Sequence, residues 1–204
     1  MGQRSWWLWL DREWVRAFTG KVVTRCGFVT MPLSAMARGS RPLVHAQRHK
    51  HLLAVLFVDL DGFKQINDTW GHHVSDLLLR DVAQQLQACL RQSDTAARLA
   101  GNKFALLLPD VRSPNDAATV AQKVLAAFGK GVRVGGDTLP VSASIGISLY
   151  PRAGQDGNSL LRSADAAMYV AKAQGKNRYA FSDDVVPGSD HQQWGRAREP
   201  GARR

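Results

Sequence analysis

Two aspartates one residue apart, Asp59 and Asp61, close an apolar run in the stretch VDLDGFKQINDTWGHHVSD, residues 58–76. Carboxylates so placed at a strand end supply the hard oxygens that Mg²⁺ takes while leaving positions for substrate phosphates. The same pair also suits a plain turn, with Asp61 leading into Gly62 and Asp59 solvated. Lys64 either meets a phosphate or is a surface lysine. Asn67 and Asp76 have the groups that read a purine edge, since an amide both donates and accepts and a carboxylate accepts from ring N–H and amino groups. Taken singly, each is more simply a cap or turn residue. His72 and His73 are adjacent and diverge, which argues against a shared metal. A second stretch, RLAGNKFALLLP (98–109), sets Gly101 and Asn102 before an apolar run stopped by Pro109. That pattern is a hairpin turn followed by a buried strand. Asn102 and Lys103 at its tip are either ordinary turn residues or the remains of a catalytic loop whose acids are gone.

These residues need elements to hold them. HLLAVLFV (51–58) predicts a buried strand, and residues 74–92, with Leu78, Val82 and Leu86 four apart, predict an amphipathic helix. TAARLA and KFALLLP predict a hairpin across Gly101–Asn102. Residues 113–129 have Ser113 at a cap, Pro114 in the first turn and Gly129 at the stop, the punctuation of a helix. Residues 139–150 alternate as a strand, 158–175 predict a helix ended by Gly175, and RYAFS closes with a strand. Helices mixed with a central hairpin imply an α/β sandwich with a mixed or antiparallel sheet.

The chain of 204 residues suffices for one good core and one small appendage. Its net charge of +10 is unevenly spread. Residues 1–50 hold nine Lys/Arg against two acids, residues 51–182 fourteen against eleven, and residues 183–204 four of each. The middle of the chain is therefore only mildly basic, and no nucleic-acid partner is expected. Two cysteines, Cys26 and Cys89, make no disulfide framework or metal spacing, so a cytoplasmic setting is expected. No apolar run approaches the roughly 18 residues of a membrane span. Four of the six tryptophans fall in residues 1–40. Trp6 to Phe18 reads either as a poorly ordered leader or as a short amphipathic helix for peripheral contact with a membrane or partner. Residues 183–204 are expected to be a disordered tail.

Taken together and in order, DLDGFKQINDTWGHHVSD, RQSDTAARLAGNKFALLLP, SASIG, YP and ADAAMYVAKAQGKNR resemble the GGDEF family of diguanylate cyclases, across residues 51–182. The resemblance implies an α/β domain like the palm of nucleotidyl cyclases and polymerases, with a central, mostly antiparallel sheet and flanking helices. It implies a reaction joining two GTP into cyclic di-GMP across a dimer. Asp59 and the Leu60 carbonyl would hold Mg²⁺. Lys64, Lys172 and Lys176 would meet the triphosphate, and Asn67 and Asp76 would recognise guanine. Arg91 and Asp94 stand where family members carry their Arg-x-x-Asp inhibitory product site; alternatively they are helix-end and turn residues.

The chain departs from the family's pattern at the signature loop, Ala100-Gly101-Asn102-Lys103-Phe104. The pattern has Gly-Gly, two acids, then Phe. Ala100 adds a methyl where nucleotide approaches. Asn102 replaces a metal carboxylate and offers a neutral oxygen. Lys103 sets a cation beside the metal, where like charges about 4 Å apart cost on the order of 4 kcal/mol at an effective dielectric near 20, less with screening. Ser75 replaces the usual Gly before Asp76, which is expected to tighten a turn there. The family's Asp-x-Leu-Thr-Gly element is absent from residues 1–50: either this basic, Trp-rich segment is remodelled or the chain does not begin where the family's does. The leading expectation is a domain impaired in synthesis, with weak or no Mg²⁺, acting as a nucleotide-binding or dimerising regulatory module. Homodimers, or heterodimers with an intact cyclase, would be its partners. The alternatives are an active cyclase and a non-binding interaction scaffold.

Overall fold

The computed structural model describes residues 41–134 and 136–184. The Trp-rich leader, the 6–18 segment, Cys26 and most of the 183–204 tail lie outside them. Among these residues, four α-helices and seven strands follow in the order α1 (Arg41–His49), β1 (Leu52–Leu60), α2 (Phe63–Cys89), β2 (Thr95–Ala100), β3 (Lys103–Val111), α3 (Pro114–Gly129), β4 (Val132–Val134), β5 (Asp137–Leu139), β6 (Ala143–Tyr150), α4 (Gly157–Ala173) and β7 (Arg178–Phe181), with a short 3-10 turn at Ser182–Asp184. The main sheet has the order β2-β3-β1-β6-β7, and β4-β5 form a separate hairpin. Every neighbouring pair in the main sheet is antiparallel except β6 and β7.

β1 is central and buried on both faces, so its sequence is continuously apolar rather than alternating. Its alternate side chains divide between two cores. Ala54, Leu56, Val58 and Leu60 pack with Leu78, Val82 and Leu86 of α2 and Val124 and Phe128 of α3. Leu53, Val55 and Phe57 face the other way, onto Leu43 and Ala46 of α1 and Leu160, Leu161, Ala164 and Met168 of α4. The result is a three-layer α/β/α sandwich. Helix α4 lies unusually close to β6: a methyl on Gly146 would overlap the Ala164 carbonyl and the Met168 amide.

Several elements differ from the sequence expectation. Helix α1 precedes the expected start of the domain at residue 51, and buries Leu43 and Ala46. Helix α2 begins at Phe63 rather than 74, ends at Cys89 rather than 92, and breaks at Gly71 (φ 77°, ψ 169°). Ser75 therefore tightens no turn. It is buried in the helix just past the break, where its hydroxyl donates to the Gly71 carbonyl at 3.1 Å. Of residues 139–150, only 143–150 belong to β6, and the short β4-β5 hairpin is additional. Asp116 explains the firm start of α3, since its carboxylate accepts from the amides of Arg112 (2.9 Å) and Ser113 (3.3 Å). Helix α4 is capped by Asp156, which accepts from the amides of Asn158 (2.9 Å) and Ser159 (3.0 Å). Those bonds, Ser159's first, hold the Asp156 carboxyl below its ordinary value.

Candidate nucleotide site at the end of the first strand

The antiparallel register sets Asp59 opposite Lys103 on one side and Ser144 on the other. The 100–104 loop is thus the hairpin tip directly beside the end of β1. Gly101, with φ 52°, makes the reversal. Asp59 is 3% exposed and points to the face covered by α4.

Asn102 occupies both groups expected to hold the metal. Its Nδ2 donates to Asp59 Oδ1 at 2.7 Å and to the Leu60 carbonyl at 2.8 Å. The Leu60 amide in turn donates to the Asn102 carbonyl at 3.2 Å. With two acceptors before it, the amide must present its nitrogen. This corrects the expectation that Asn102 offers an oxygen. The second Asp59 oxygen is also engaged: Lys172 on α4 places Nζ 2.9 Å from Oδ2. One carboxylate and one carbonyl, both bound by N–H groups, do not fit Mg²⁺, which needs several free hard oxygens. Lys103, the second altered position, has its ammonium 5.6 Å from the centre of the Phe57 ring, on the same sheet face as Asp59.

Asp61 is not a second metal carboxylate. Oδ1 accepts from Ser144 Oγ at 2.8 Å, while Oδ2 accepts from Ser142 Oγ at 2.9 Å and the Asn177 amide at 3.2 Å. Its own amide donates to the Ser142 carbonyl. One side chain thereby fastens the end of β1 to the start of β6 and to the turn after α4, where Lys176 and Asn177 have left-handed φ of 62° and 47°. The spacing of Ser142 and Ser144 in SASIG, two apart on one face, is the signal that identifies these partners in hindsight.

The other residues singled out in the sequence fall into two groups. Lys64 is exposed in the first turn of α2, directly after Asp61, and Lys176 is exposed in the turn Asp61 anchors. With Lys172 they place three cations around the end of β1. Asn67 is one turn beyond Lys64, and Asp76 is exposed on the far limb of α2, past Gly71. Arg91 and Asp94 lie elsewhere, in the α2–β2 connection. There the Asp94 carboxylate accepts from the Arg91 amide at 2.9 Å, and the Asp94 amide donates to the Arg91 carbonyl at 3.1 Å. The guanidinium is not needed for this turn.

A signature hairpin packed beside a buried strand-end aspartate, in an α/β sandwich with this strand order, defines a nucleotidyl-cyclase type of domain. Residues 38–178 match the family model "Diguanylate cyclase, GGDEF domain". The chain belongs to the GGDEF family. It is 44% identical over 156 residues to the bifunctional diguanylate cyclase/cyclic di-GMP phosphodiesterase MucR of Pseudomonas aeruginosa, covering 76% of this chain and 23% of MucR. It is 41% identical over 160 residues to the diguanylate cyclase TpbB of the same organism, covering 76% of this chain and 37% of TpbB. The chain thus spans well under half the length of these relatives. The solved GGDEF domain of TpbB superposes with a TM-score of 0.72 at 38% identity, covering 76% of this chain and 97% of that one. The GGDEF domain of DgcB from Caulobacter crescentus, solved in complex with c-di-GMP, gives a TM-score of 0.64 at 27% identity, covering 70% and 85%. Among the described residues, no helix is long and apolar enough to cross a membrane.

Proposed function

We propose that this domain serves cyclic di-GMP signalling as a nucleotide-binding or dimerising module whose cyclase chemistry is shut off by its own side chains. The observation that carries this reading is the Asn102 amide nitrogen, seated between Asp59 Oδ1 and the Leu60 carbonyl where an active relative's metal would bind. The Asp59–Lys172 ion pair supports it, because it satisfies the remaining carboxylate oxygen without a metal. Lys64 and Lys176 remain exposed and able to meet phosphates, and Asn67 and Asp76 retain the groups that recognise guanine. Arg91, with Asp94, is the candidate for binding cyclic di-GMP, the ligand found on DgcB. A second GGDEF domain, identical or catalytically intact, is the expected protein partner.

Incubation with GTP and either Mg²⁺ or Mn²⁺, followed by separation of linear and cyclic products, tests the catalytic half of the proposal. Calorimetry with GTP and with cyclic di-GMP tests the other half. Binding of either nucleotide without turnover is expected. Sustained cyclic di-GMP synthesis overturns the shut-off site. Absence of binding to both nucleotides, in a protein that also stays monomeric, leaves only an interaction scaffold.

A further inference from the structure

Three histidines meet where α1 passes into β1. His45 and His49 are four residues apart on α1, and their ring centroids lie 4.3 Å apart with planes tilted by 36°. His51, just beyond the helix, places its ring 6.1 Å from that of His45 and 6.0 Å from that of His49. Asp110, near the end of β3, brings Oδ1 to 3.6 Å from His51 Nδ1. All four side chains are exposed. None belongs to the nucleotide site, which is at the opposite end of β1, roughly 25 Å away at about 3.3 Å per strand residue.

We propose that His45, His49 and His51 bind a divalent transition-metal ion of the zinc type, with Asp110 orienting His51. Histidines four apart on one helix face converge on a single ion, as in zinc sites built on helical His pairs. Three imidazoles with a water complete a coordination set that zinc accepts, and at Zn–N distances of about 2.0–2.1 Å the three ring centroids lie roughly 5 Å apart. The observed separations, 4.3 to 6.1 Å, bracket that spacing. An all-imidazole set favours zinc, nickel or copper over Mg²⁺, which takes oxygens. The Asp110 carboxylate, 3.6 Å from Nδ1, favours the proton on that nitrogen without bonding it as the rings stand, and a small rotation that closes this contact leaves Nε2 of His51 for the metal. As the rings stand, no three His, Cys, Asp or Glu side chains among the described residues form a ready metal-binding group. Closing the site takes side-chain rotation by exposed histidines, while Leu43 and Ala46 hold the backbone of α1 against the sheet. The ion would pin the C-terminal end of α1 to the start of β1.

The test is calorimetric titration of the untagged full chain with Zn²⁺ in a non-chelating buffer, with Co²⁺ absorption reporting imidazole ligation. One ion per chain is expected. Expected losses are tenfold or more in affinity for His49→Gln and for His51→Gln, and about 10–100-fold for Asp110→Asn. The control His72→Gln/His73→Gln should bind as the unaltered protein does. Because the altered side chains are exposed, melting temperatures without added metal should match. No binding by the unaltered chain overturns the proposal. So does unchanged affinity in either His49→Gln or His51→Gln, or a loss in the control as large as theirs.

Discussion

Asn102 and Asp59 are joined across the β1–β3 edge by a 2.7 Å hydrogen bond in which the amide nitrogen donates to the carboxylate. A position where the family's pattern has an acid therefore carries a donor. The buried carboxylate that would have shared a metal with that acid is satisfied from within the protein. Asn102→Asp reverses this arrangement. Two carboxylates would then face each other, and about 1–3 kcal/mol of stability should be lost with the donor. Mg²⁺ or Mn²⁺ should restore it, whereas the unaltered domain should melt at the same temperature with either ion or with chelator. Melting curves of both proteins with and without metal check this. If Ala100→Gly, Asn102→Asp and Lys103→Glu together leave metal affinity unchanged, the loop is not what excludes the ion.

Lys172→Met should leave Asp59 buried with only Asn102 as partner. Removing one member of a fully buried ion pair costs about 3–5 kcal/mol. Lys172 is 31% exposed, so solvent will reduce that figure. Asp59→Asn should cost less than Lys172→Met. The double variant should be more stable than the sum of the two losses implies, a coupling that denaturant melts in a double-mutant cycle will measure.

The β1 strand, the 101–102 hairpin and α3 are legible in the sequence because local signals coincide there: an unbroken apolar run, a Gly-Asn reversal, and a Ser-Pro start with a Gly stop. Helix α1 is not, since its two buried anchors, Leu43 and Ala46, share a short helix with an exposed Val44 and mean nothing until the sheet is placed. Strands of three residues, β4 and β5, are too short to show a period. At the site, sequence order points to Asp59 and Asn102 but not to which end of the amide faces inward. That depends on two acceptors converging from a neighbouring strand.

Arg91→Ala should weaken cyclic di-GMP binding tenfold or more, about 1.4 kcal/mol, with no change in melting temperature, because the turn is made by the Arg91 backbone. Arg91→Lys should recover part of the affinity, a point charge lacking the guanidinium's fork. Asp94→Ala differs, since it also removes the carboxylate that secures the turn, and should lower both affinity and stability. Calorimetry and melting, run on all three variants, separate the two roles. Equal cyclic di-GMP affinity in Arg91→Ala would reduce the pair to an ordinary helix exit.

The Asp156 cap gives α4 a predictable response to acid. Its carboxyl is held below the ordinary 3.8 by bonds from Ser159 and Asn158. The contribution is complete above the ordinary carboxylate range and disappears as pH falls through the lowered folded value. Asp156→Asn should keep much of the cap but lose this titration. The stability gap between the two proteins, measured by denaturant melts, should narrow from pH 6 towards pH 3. A gap that stays constant would mean the carboxylate's charge contributes nothing.

The break at Gly71 has a geometric consequence for the two residues most suited to a purine. Asn67 and Asp76 are nine positions apart. In an uninterrupted helix, at about 100° per residue, nine steps amount to two and a half turns, which sets side chains on opposite faces of the cylinder. No single flat molecule could touch both. The positive φ at Gly71 cancels that phase relation, and the Ser75 hydroxyl donates to the Gly71 carbonyl on the far side, so the second limb starts with a new rotational setting. A side chain at position 71 would be strained in this conformation. The glycine there lets α2 present two limbs in place of one continuous ridge, and the guanine contacts proposed for Asn67 and Asp76 depend on that break.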